Sequence, residues 1–171
     1  MQSGFNEYLF SLYQTHSKEL TAFAFYMLHN EDDAIDSVQQ VFRQILEKQK
    51  QIKIPLNNAR AFLYKSVKNI CINTNIRKQR EANFGKSMSI HTNEIFQMEN
   101  QIDDRILISD IINHIENNFS EIEKTLFCLK FIENLKLEDI SIIIDTSIPT
   151  VSRILKKITG ELKNKFYNTN F

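Results

Sequence analysis

The sequence predicts an all-α protein of two small helical domains joined by a polar linker, the C-terminal domain being a helix-turn-helix. Three observations carry this reading. Only 3 glycines and 2 prolines interrupt 171 residues, so long helices are expected. Apolar residues recur at spacings of three and four along most of the chain, and no segment alternates convincingly as a strand. One polar stretch, 82–103, loses that periodicity and contains Gly85, as a linker would. The expected domains are therefore 1–81 and 104–171.

The first helix is predicted over 5–27, where Leu9, Leu12, Tyr13, Leu20, Phe23 and Met27 share a face. HNEDD (29–33) is a polar break in which Asn30 or Asp32 can accept amide hydrogen bonds from the next helix. That helix, 33–49, has an apolar side of Ile35, Val38, Val41, Phe42, Ile45 and Leu46. Opposite lies a stripe of Asp36, Gln39, Gln40, Arg43 and Glu47. Periodicity makes it a solvated face; its glutamines would also suit a protein partner. A loop containing Pro55 leads to a third helix, 59–80. Leu63, Val67, Ile70 and Cys71 form its core side, and Phe62, Lys65, Asn69 and Asn73 its other side. Aromatic and amide side chains beside cations suit unstacked bases, because a ring stacks and an amide reads an edge. The alternative is that Phe62 packs against the first helix.

After the linker, helices are predicted over 104–117, 120–132, 137–144 and 148–167. Ser120 followed by Glu123 has the capping-box form. In the segment 135–158, Glu138 and Asp139 suit a helix start and Ile140, Ile143 and Ile144 its apolar face. Asp145 tolerates a left-handed turn, Ser147 can cap, and Pro149 fits a first helical turn. In the last helix Val151, Ile154, Leu155 and Ile158 fall within about 100° of one another. Ser152, Arg153, Lys156 and Lys157 lie opposite, with no acid among them. Such a face is either merely solvated or placed in a DNA major groove; cap, turn and register together favour DNA.

Formal net charge is zero, but the charge is unevenly spread. Residues 1–80 carry 11 basic and 7 acidic side chains, and the run 60–80 carries six basic residues and no acid. Residues 147–171 carry five basic residues against one acid. Two local basic stripes on a neutral chain suggest two polyanion sites, and Lys68, Arg77, Lys78 and Arg80 are available for phosphates. Cys71 and Cys128 make no metal-type spacing or disulfide framework. The four histidines are scattered without a nucleophile-base arrangement. No enzymatic activity, metal or cofactor is expected. The N-terminus lacks the form of a secretory signal and no stretch suits a membrane span, so a cytoplasmic protein is expected.

These residues resemble regions two and four of the bacterial sigma-70 family, in its small extracytoplasmic-function group. DDAIDSVQQVFRQILE (32–47) is similar to the family motif Ala-Glu-Asp-Leu-Val-Gln-Glu-Val-Phe. ARAFLYKSVKNICINTNIRKQR (59–80) is similar to its Arg-Ala-Trp-Leu-x-x-Ile-Ala-x-Asn segment, and 119–158 resembles its C-terminal domain. The resemblance implies that Asp36, Gln39, Gln40, Phe42 and Arg43 bind the clamp helices of the RNA polymerase largest subunit. It implies that Arg60, Phe62, Lys65, Asn69, Asn73 and Arg77 recognise the −10 promoter element. It implies that Thr150, Ser152, Arg153, Lys156 and Lys157 read the −35 element, and that an anti-sigma partner masks these surfaces. The sequence departs from the pattern at Phe62, where Trp is usual, at Asn73 for Asp, at Gln40 for Glu and at Asp145 for Gly. A stand-alone helix-turn-helix regulator and an anti-sigma-binding decoy are the competing readings.

Overall fold

The computed structural model describes residues 2–48, 54–84 and 102–167. Among these there is no strand, and the chain divides into two units, Met1–Asn93 and Glu94–Phe171. Most of the predicted linker lies outside the described residues.

The N-terminal unit packs three helices, α1 (Gln2–Leu28), α2 (Glu31–Glu47) and α3 (Ala59–Phe84), each against the other two. A 3₁₀ turn, Leu56–Asn58, leads into α3. The α1–α2 break is sharp because His29 adopts a left-handed backbone (φ 51°), and its amide still donates to Phe25 O at 2.8 Å. Asn30 then caps α2, its Oδ1 accepting from the Asp33 amide at 2.9 Å. Glu31, Asp32 and Asp33 place negative charge at the positive end of the helix dipole. Leu20, Phe23, Ala24, Ala34, Val38, Ile45, Ala61, Leu63, Tyr64, Val67 and Cys71 form the core. The Phe23 and Tyr64 rings meet at 5.1 Å. Two expected core positions on α2 are exposed instead, Ile35 at 38% and Leu46 at 45%. They flank the apolar stripe, and α1 and α3 cover only its centre, around Val38, Val41, Phe42 and Ile45.

The C-terminal unit contains α4 (Ile102–Asn118), α5 (Glu121–Phe127), α6 (Leu137–Ile144) and α7 (Ile148–Phe166). The predicted helix 120–132 is not α-helical throughout: Cys128–Ile132 forms a π turn, closed by the Glu133 amide on Cys128 O at 3.0 Å. Asn134 then takes φ 50° and the Leu135 amide returns to Leu129 O, six residues earlier, at 3.0 Å, so the chain closes one residue wider than an α-helical Schellman end. The capping box forms, with the Ser120 amide donating to Glu123 Oε2 at 2.9 Å. Asp145 occupies the left-handed region (φ 62°, ψ 47°) between α6 and α7. Ser147 caps α7, accepting from the Thr150 amide. Leu126, Leu129, Leu135, Ile140, Ile143, Val151, Leu155 and Ile158 are the buried centre. His114 of α4 meets the rings of Phe119 and Phe166, and its Nε2 lies 3.3 Å from Glu161. No described helix is long and apolar enough to cross a membrane.

Candidate protein and nucleic-acid interfaces

On α2, Asp36, Gln39, Gln40 and Arg43 are all exposed and form a continuous polar stripe. Phe42, expected among the contact residues, is a core residue instead, 8% exposed, with its ring edge-on to Tyr13 at 5.0 Å. It falls on the buried side of the helix, so it supports the stripe from beneath.

A groove of about 410 Å³ opens between α2 and α3, lined by Gln40, Gln44, Ser66, Asn69, Ile70, Asn73, Thr74 and Arg77. It brings Gln40, expected on the polymerase face, together with Asn69, Asn73 and Arg77, expected on the DNA face. The two surfaces are neighbours in space. Gln44, Ser66 and Thr74 were not anticipated, although the spacing 66, 69, 70, 73, 74, 77 traces one helical face. Ser66 Oγ donates to Phe62 O at 2.8 Å, so its own lone pairs remain oriented by the helix. Phe62 and Lys65 are half-buried and do not line the groove.

Arg60 does not lie open for DNA. Its Nη2 and Nε donate to Glu19 Oε2 and Oε1 at 2.7 and 3.1 Å, and its guanidinium sits 5.5 Å from the Tyr64 ring centre. Burial opposes its charge, but the Glu19 carboxylate prevails and holds its pKa above the ordinary value. This bidentate pair ties α1 to α3. Lys78 pairs with Asp33 of α2, and Asn75 Nδ2 donates to Met27 O at 3.1 Å. The acid-free run 60–80 therefore meets acids supplied by other helices. Arg77 keeps its exposure, with only a 3.9 Å approach to the equally exposed Glu81.

On α7, Arg153, Lys156 and Lys157 are exposed, and Thr150 and Ser152 half-buried. The Thr150 hydroxyl lies 2.9 Å from Ser147 Oγ, inside the cap. Arg153 and Lys156 form no ion pair with a described residue. Lys157 Nζ donates to Glu123 Oε1 of α5 at 2.7 Å. Lys157, the Ser120 cap and their hydrogen bonds lower the Glu123 pKa to about 2. Among the described residues no group of His, Cys, Asp and Glu could hold a metal ion.

Residues 12–82 match the sigma-70 region 2 family. No curated protein matches the chain in sequence. Among solved structures, it is similar to the sigma factor RpoE from Bartonella quintana, determined in complex with the anti-sigma factor NepR. The TM-score is 0.63 and the identity 18%, over 98% of this chain and 99% of that one. At that identity the likeness is one of fold.

Proposed function

We propose that this chain, whose residues 12–82 match the sigma-70 region 2 family, works as an extracytoplasmic-function-type initiation factor: it binds core RNA polymerase and directs it to promoters through both of its units. The observation that carries this reading is the pairing of an exposed Asp36–Gln39–Gln40–Arg43 stripe with an adjoining amide-lined groove on one unit, and a capped helix-turn-helix on the other.

The stripe on α2 is the surface for the polymerase clamp helices. The groove beside it offers Asn69, Asn73 and Gln44 amides to the edge of an unpaired −10 base, with Arg77 toward the backbone phosphates. Extruding a base costs a few kcal/mol, which contacts in the groove offset once the polymerase holds the DNA in place. Helix α7 enters the major groove at the −35 element, with Arg153 and Lys156 as its leading cations. Two tethered DNA surfaces raise each other's effective concentration, so each can be weak alone, in keeping with a net charge of zero. The protein itself performs no chemistry. The similar RpoE structure holds an anti-sigma factor; by extension, an anti-sigma protein covers these surfaces here.

The test is reconstitution. The purified chain is expected to pull down core polymerase and to give run-off transcripts from a defined start site with that core. Binding of duplex DNA without any capture of core enzyme would replace this reading with that of a stand-alone regulator.

A further inference from the structure

The cation nearest the middle of the DNA-reading helix is already occupied from within. Glu123 lies on α5, 34 residues before Lys157 in the chain, and its two oxygens have separate duties. Oε2 accepts from the Ser120 amide at 2.9 Å and from the Ser120 hydroxyl at 2.8 Å. Oε1 accepts from Lys157 Nζ at 2.7 Å. The cap holds the carboxylate in place, so it cannot swing aside without giving up its bonds from the Ser120 amide and hydroxyl. The lysine is the movable partner: its side chain is 67% exposed, whereas that of Glu123 is 14% exposed. Glu161, one turn further along α7, adds a second negative charge near the same ammonium group.

We propose that Glu123 is an internal competitor for DNA phosphate at Lys157, and that it weakens unassisted binding of the chain to nonspecific duplex. This rests on the reading that α7 meets DNA. A phosphate oxygen approaching Lys157 must displace a carboxylate that is already charge-matched and hydrogen-bonded. Release of cations condensed on the DNA drives nonspecific binding, and a lysine held by an internal carboxylate neutralises no phosphate and so displaces no cation. First contact therefore falls to Arg153 and Lys156. Lys157 exchanges Glu123 for phosphate only when the duplex is held close, as it is when polymerase and the N-terminal unit anchor the same promoter. Glu123 touches no DNA itself; it is a positioning residue that makes promoter binding depend on the tether.

The experiment titrates the full-length chain against a mixed-sequence duplex of about 30 bp, from about 20 to about 200 mM NaCl, with wild type, Glu123→Gln, Lys157→Gln and the double variant. Glutamine at the third helical position preserves the capping box. Glu123→Gln is expected to bind more tightly at low salt, with a log–log salt slope steeper by about 0.9. Adding Lys157→Gln should erase that gain. Lys157→Gln alone, which leaves the cap untouched, should keep the wild-type slope. Measurable binding with an unchanged or shallower slope in Glu123→Gln would overturn the competitor role while leaving DNA binding by α7 intact. A slope lowered by about 0.9 in Lys157→Gln alone would do the same. Absence of binding by every variant at the lowest salt would instead overturn the reading that α7 meets DNA, and the inference with it.

Discussion

Cys71 shows what burial does to a single group. Burial pushes its thiol up to about 12, against the opposing hydrogen bond with Ser37. Cys128 is raised well above the ordinary range, again chiefly by burial. Both thiols should therefore resist alkylation at pH 8 in the native protein and react promptly in urea. The sign of the linkage follows. The folded state favours the protonated thiol, so its contribution is full below the ordinary value of 9.0 and is lost as pH rises toward about 12. Stability of the N-terminal unit should decline across that window, and Cys71→Ala should flatten the decline. Arg60 was legible as a cation but not as a strut. Arg60→Ala is expected to cost about 1 kcal/mol, a value held down by its partial exposure. Glu19→Gln should cost a similar amount, and the double variant little more than either, as read by urea unfolding. Additive losses would separate the two groups.

Among the elements, the turn between α6 and α7 is the most exactly specified by local chemistry. Its one left-handed residue is Asp145, followed by Ser147 as cap and Pro149 in the first turn of α7. A β-branched side chain is poorly tolerated at positive φ, so Asp145→Val should destabilise the C-terminal unit by about 1–2 kcal/mol. Asp145→Gly should retain the turn, and thermal unfolding distinguishes the two. The π turn at Cys128–Ile132 was not legible. Apolar spacing at three and four fits a helix of either kind over five residues; the difference lies in where the chain must close. Here Asn134 turns left-handed and Leu135 is drawn into the core at 1% exposure. Helix α2 gives the opposite case. Its polar stripe could be read directly, because Asp36, Gln39, Gln40 and Arg43 share one face at helical spacing and all four are exposed.

Across the whole molecule, the proposed division of labour predicts separable losses. Asp36→Ala with Gln39→Ala should abolish capture of core polymerase while changing stability by no more than about 0.5 kcal/mol, since both side chains are exposed. Charge reversal at Arg153 and Lys156 should leave core capture intact and remove promoter-dependent run-off. Equal loss of core capture in the two variants would dissolve the division. The sequence by itself determined where the helices lie, the caps at Ser120 and Ser147, the helix-turn-helix and the centre of each apolar face, but not the π turn or the exposed flanks at Ile35 and Leu46. The former depend on spacings of three and four residues and on side chains bonding to nearby amides, all of which lie close together in the chain. Only the tertiary structure decided which charges remain available. Arg60, Lys78 and Lys157 stand in runs without acids, yet Glu19, Asp33 and Glu123 reach them from other helices. The groove of Gln40, Gln44, Asn69 and Asn73 likewise exists only where α2 and α3 lie side by side. An ion pair or a groove wall is set by distance in space, and packing brings together residues that local periodicity cannot relate.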